Sequence, residues 1–155
     1  MVAIVYRNKY NNDGSGCVSF VDVDQKQYLY TQFEPYYANR VFPCFDQPDL
    51  KAKMRLNILS PADWKKVLSN EKAIVDMKPF NDEEFMGKIQ TNHKDVVSEF
   101  IKNHKGNMTI FPESKLLPTY LYCFVAGAYV ELVLEETYKV IIMIMLEYPN
   151  VIVLH

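Results

Sequence analysis

Net positive charge is missing from this sequence: Lys and Arg number 17 against 19 Asp and Glu, a formal charge of −2. A nucleic-acid backbone would find no polycation to engage. Long apolar runs are absent too. The longest, Val140 to Leu146, is about a third of a membrane span, and the opening MVAIVYRNKYNN returns to charge too soon for a secretory h-region. Cysteine is sparse, and Cys17, Cys44 and Cys123 show no Cys-x-x-Cys spacing. That excludes a zinc knuckle and an even disulfide set, and three reduced thiols suit a cytoplasmic protein. Of the three histidines, His93 and His104 stand 11 residues apart without a His-Glu-x-x-His pair, and His155 is the last residue. They read as solvated helix residues rather than metal ligands. No Gly-x-Ser-x-Gly elbow and no phosphate-cradling glycine loop occurs.

What is present fits an ordinary folded domain. The 155 residues are 49% apolar and 23% charged, enough for one core and too few for two comfortable domains. Val2 to Tyr6 is a short β-branched run, followed by the turn-rich Asn11-Asn12-Asp13-Gly14-Ser15-Gly16. Cys17 to Val23 and Gln27 to Thr31 predict strands across the polar link Asp24-Gln25-Lys26. Lys51 to Ile58 alternates apolar and polar residues, the pattern of a strand with one wet face, and Ser60-Pro61 ends it. Trp64 to Leu68, Ala73 to Met77, Met108 to Phe111, Tyr120 to Val125, Tyr129 to Leu134 and Tyr138 to Leu146 are further strands. Between Asn81 and Lys105 the period becomes helical, with Phe85, Ile89, Val96, Phe100 and Ile101 on one face and a break near Asn92. Asn81 with Glu84 three residues on is a capping-box signature, and Gly106 suits the far end. The fold class is therefore mainly β, an antiparallel sandwich or curved sheet with one amphipathic helical insertion near 81–105.

One segment fits neither period. QFEPYYANRVFPCFDQPD, residues 32–49, carries too many aromatics for a wet loop and too many prolines for a core strand. It reads as a folded-in connector, shaped by proline and gripped by aromatic side chains. If the strand from Gln27 runs on to Pro35, Gln32 and Glu34 project together, an amide beside a carboxylate that can receive an ammonium group. The plainer alternative is that Glu34 pairs with Arg40 or Lys51 and only holds the connector. Tyr36, Tyr37, Tyr120 and Tyr122 would stack on a sugar if exposed, although strand aromatics more often belong to a core.

The run YTQFEPYYANRVFPCFDQPDLKAKMRLNI, with SPADW and SN behind it, resembles the amino-terminal domain of the aminopeptidase N family of zinc metallopeptidases. LPTYLYCFVAG, Leu117 to Gly127, resembles the strand that closes that domain, and DGSG at Asp13 to Gly16 also fits. The likeness runs from about Tyr6 to Tyr129, is weaker over 81–107, and covers roughly the second half of a saddle-shaped β domain. Strands that precede this stretch in the family have no counterpart before Val2. The division it implies is a partial β domain over 1–130 and an unmatched apolar tail over 131–155, ELVLEETYKVIIMIMLEYPNVIVLH.

The resemblance implies that Gln32 and Glu34 are substrate-binding. Glu34 would take the free α-amino group of a peptide, and Gln32 would line the pocket for its first side chain. Pro43, Phe45, Asp46 and Pro48 would shape and anchor the connector. The family's zinc motif, its exopeptidase loop and its catalytic tyrosine are not among these residues, so no catalytic residue, metal or cofactor is expected in the chain itself. The expected partners are a peptide amino terminus and a catalytic domain, or self-association through exposed apolar surface. No nucleic acid and no membrane span are expected. A non-catalytic β-sandwich interaction module is the alternative.

Overall fold

The computed structural model describes residues 4–89, 91–134 and 140–144, with side chains described as far as residue 130. Strand outweighs helix by 35% to 17%, and the sheets are antiparallel. Strands β1 (Gly16–Val21) and β2 (Gln27–Gln32) form a hairpin across the polar link. Next come the connector, with a 3-10 turn at Ala38–Arg40, then β3 (Lys51–Ala52), β4 (Arg55–Ser60), β5 (Lys66–Ser69) and β6 (Val75–Pro79). Helices α1 (Asp82–Lys88) and α2 (Lys94–Ile101) precede β7 (Asn107–Glu113) and β8 (Leu117–Pro118). After a second 3-10 turn at Thr119–Leu121 follow β9 (Phe124–Gly127), β10 (Val130–Leu134) and β11 (Val140–Ile144).

One sheet has the order β1-β2-β9-β5 and another β4-β7-β6, with two-stranded pairs β3-β8 and β10-β11. A core cluster draws Leu29, Val67 and Ala126 from the first sheet and Phe111 from the second, around Trp64. Strand β7 is buried on both faces because alternation sends Phe111 toward this cluster while Met108 and Ile110 meet the helices. Phe85 of α1 and Ile101 of α2 pack against Val75, Met108 and Ile110 of the sheet. Residue 106 must be glycine, since a Cβ there would stand 2.1 Å from the Ser60 carbonyl oxygen.

Four expectations are corrected. The strand foreseen over Lys51 to Ile58 is split, because its partner changes: Lys51 and Ala52 pair with β8, while β4 pairs with β7. Between them Met54 and Ser114 exchange contacts, the Met54 N–H donating to Ser114 Oγ at 2.9 Å and the Ser114 N–H to the Met54 carbonyl at 2.9 Å. Tyr120 to Val125 likewise begins as a 3-10 turn before β9. The single helix foreseen is two, α1 and α2, which do not share one phase, so Val97 packs on the core and Phe100 is 70% exposed. Finally, Ile4 to Tyr6 lie outside any strand and are exposed; Val2 and Ala3 lie outside the described residues. The ends of the strand foreseen over Tyr138 to Leu146, and the rest of the tail to His155, also lie outside them.

Candidate functional site

The connector leaves β2 at Gln32 and turns immediately. Phe33 points inward, fully buried against Ala38 and Tyr122, while Gln32 and Glu34 on either side are exposed. The Tyr37 N–H donates to the Phe33 carbonyl at 2.7 Å and closes the turn. The Glu34–Pro35 peptide is cis. The condition that the strand run on to Pro35 is not met, since β2 ends at Gln32, so the common exposure of Gln32 and Glu34 comes from the inward anchor between them rather than from strand alternation.

Among the described residues, Glu34 has no ion pair. Arg40, the connector's single basic residue, is committed elsewhere: its Nη1 donates to Asp13 Oδ2 at 2.9 Å and to Ser15 Oγ at 2.6 Å, and its guanidinium lies 4.6 Å from the Tyr37 ring centre. Asp13 in turn accepts from the Ser15 N–H at 3.1 Å and the Ser15 hydroxyl at 2.7 Å. The Ser15 hydrogen bonds, seconded by Arg40, hold the Asp13 carboxyl below its usual range. The sequence pattern did not reveal this pairing across 27 residues. Its only trace was an acid in a glycine-rich turn and an arginine with no acid three or four places away.

Of the four residues expected to shape the connector, Asp46 is the anchor. Its Oδ2 accepts the Asn39 N–H at 3.0 Å and its Oδ1 the Thr119 hydroxyl at 2.5 Å. Phe45 is 83% exposed, and Pro43 and Pro48 are exposed as well, so the grip within the described residues comes instead from Phe33, Ala38 and Phe42. Beside the connector opens a cleft of about 810 Å³, whose lining includes Tyr6, Phe42, Phe45, Leu50, Met54 and Phe124. Neither Gln32 nor Glu34 lines it.

Other candidates fare differently. Tyr122 is buried with its hydroxyl donating to the Ala52 carbonyl, and Tyr37 lies beneath Arg40, so the four tyrosines make no open sugar platform. His104 packs edge-on against Phe80 at 5.0 Å rather than standing in solvent, and His93 Nε2 is buried without a hydrogen-bond partner. Burial pushes the Cys17 thiol up to about 11 and raises those of Cys44 and Cys123, which makes poor nucleophiles of all three. Among the described residues, no group of three or more His, Cys, Asp or Glu could hold a metal ion, and no helix is long and apolar enough to cross a membrane.

Residues 1–93 match the family model described as the Peptidase M1 N-terminal domain. The chain is 52% identical over 62 residues to "Aminopeptidase N" of Streptomyces lividans, which covers 39% of this chain and 7% of the relative. It is 34% identical over 137 residues to "Aminopeptidase M1-C" of Oryza sativa subsp. japonica, 87% of this chain and 12% of the relative. It is 27% identical over 122 residues to "Aminopeptidase 2, mitochondrial" of Saccharomyces cerevisiae, 79% of this chain and 10% of the relative. The chain thus spans roughly a tenth of the length of these relatives.

Proposed function

The chain belongs to the peptidase M1 N-terminal domain family, and on that premise we propose that it supplies the part of a zinc-dependent aminopeptidase that recognises a peptide's free amino terminus. Glu34 receives the α-ammonium through a charge-assisted hydrogen bond, and Gln32 lines the space for the first side chain. The observation that supports this is the exposed Glu34 carboxylate on a turn fixed by Phe33, with Arg40 turned away to Asp13. A carboxylate so held keeps its acceptor sites for an incoming cation, and the bond strengthens when an opposing surface excludes water.

Among the described residues no group of His, Cys, Asp or Glu would hold a metal; in this reading zinc and the groups that activate water are supplied by a separate catalytic domain. The apolar cleft supports such a partner, since Phe45, Leu50 and Tyr6 expose their side chains around it and exposed apolar area of this kind favours burial against another surface. Three cysteines without a disulfide suit a cytoplasmic setting.

Transplanting residues 6–129 into the Streptomyces lividans relative, in place of the corresponding segment, tests the reading. Glu34→Gln in that hybrid should lower kcat/KM for a fluorogenic aminoacyl substrate about 10- to 100-fold. Unchanged turnover would refute the role of Glu34. Zinc-dependent turnover by the pure 155-residue chain would refute the division of labour. The same cleft also favours a second reading, a non-catalytic module that pairs with another copy of itself, which sedimentation of the pure chain would reveal as a dimer.

A further inference from the structure

The loop 11–16 touches the Glu34-bearing segment at both of its ends. At the near end, Gly16 faces Gln32 on the last rung of the β1-β2 ladder. At the far end, Asp13 and Ser15 receive the Arg40 guanidinium, and Asn8 donates its side-chain amide to the Arg40 carbonyl. Resting on the reading of Glu34 as the amine-binding carboxylate, we propose that this loop is its positioning element, with Asp13 and Arg40 as the positioning residues.

The loop is stiff enough for the task. Asn11 Nδ2 donates to the Ser15 carbonyl at 2.8 Å, the Asn11 N–H donates to the Cys17 carbonyl at 2.8 Å, and the Asn11 carbonyl accepts from the Ser19 N–H at 3.2 Å. Asp13 closes its own turn on Ser15. Gly16, at φ +74°, lets the connector lie directly on the loop: a Cβ there would stand 2.5 Å from Asn11 Nδ2 and 3.4 Å from the Arg40 Cβ. Between the two gripped ends stand the Phe33 anchor and the Tyr37-to-Phe33 hydrogen bond, so the turn carrying Glu34 is fixed at three points.

Arg40 and Asp13 are each about half exposed, at 43% and 56% of their side chains. A single ion pair so exposed holds little by itself. The grip comes from one guanidinium satisfying two acceptors while stacked on Tyr37, an arrangement that a lysine reproduces only in part.

Amide hydrogen exchange of the full chain tests this. Asp13→Asn and Arg40→Ala should each speed exchange at Tyr37 and Val41 about three- to fivefold, with Ile58 and Thr109 in the β4-β7 ladder unchanged. Arg40→Lys should recover part of the protection. The double variant should exchange no faster than Arg40→Ala alone, because the two side chains act as one unit. Changes under about twofold at Tyr37, multiplicative effects in the double variant, or an equal rise at Ile58 would each overturn the proposal. Exchange does not depend on any peptide being bound, and the transplant assay does not depend on exchange, so failure of the clamp and failure of the amine-binding role are distinguishable.

Discussion

Residues 32–50 and residues 81–105 are both long excursions between strands, and they are fastened by different physics. The helical pair lies on the three-stranded sheet through Phe85, Val97 and Ile101 against Val75, Met108 and Ile110. Its described polar ties are short-range in sequence: Asn81 Oδ1 accepts the Glu84 N–H at 2.8 Å, Glu84 stands 3.7 Å from Lys78, and His104 Nε2 meets the Asn107 carbonyl at 3.4 Å. The connector also buries Phe33 and Ala38, but its path is decided by Asp46 and Arg40, each bridging to residues distant in sequence. Apolar burial is non-directional and tolerates a range of side chains of the correct volume. Hydrogen bonds to a carboxylate or guanidinium fix direction. A cover over a sheet needs the first kind of fastening, whereas a segment that must place one side chain needs the second.

That contrast can be broken by mutation. The largest effect should come from Phe85→Ala, which empties the centre of the helical cluster and should cost about 3–5 kcal/mol in a denaturant titration; a loss below about 1 kcal/mol would show that the helices do not share the core. Asp46→Asn weakens both of its bonds, to the Asn39 amide and to Thr119, and should cost about 1–2 kcal/mol, with Thr119→Val adding little on top. Asn81→Ala removes the cap and should cost about 1 kcal/mol, read from the same midpoint shift.

The smallest effect belongs to Asp13 and is a matter of pH. Its folded carboxyl titrates below the usual 3.8, so its stabilisation is complete above that value and is lost as pH falls through the lowered one. Melting temperatures followed into acid should show this step reduced more by Ser15→Ala than by Arg40→Ala, because the Ser15 hydrogen bonds are the leading cause. The opposite order would mean that the guanidinium, not the turn, sets the charge state of the loop.

Local chemistry made much of this fold legible. The β1-β2 hairpin was readable because Asp24-Gln25-Lys26 is turn chemistry between a valine-rich run and a tyrosine-rich one. The cap at Asn81 was readable because capping is decided within four residues. The break between β3 and β4 was not, because it records a change of partner from β8 to β7, an event some sixty residues away in sequence. The helical phase failed at Phe100 because a turn between two short helices resets the face that a single period extrapolates. At the candidate site, the unusual composition of residues 32–49 drew attention to Gln32 and Glu34. Which acid takes Arg40 lay beyond spacing arguments, since Asp13 reaches it only through the fold. Phe45 shows the reverse failure: an aromatic in an aromatic-rich segment suggested a grip on the core, and the backbone turns it outward.

The hairpin separates one task from another along its length. Its base, where Gly16 meets Gln32, borders the segment that carries Glu34, whereas its tip at Asp24 to Lys26 lies beyond the last rung, Val21 against Gln27, at the opposite end. A fluorophore, an affinity tag or a small reporter spliced into that tip would ride on the molecule without disturbing the base, which makes the tip the natural handle for watching this chain meet whatever it docks against.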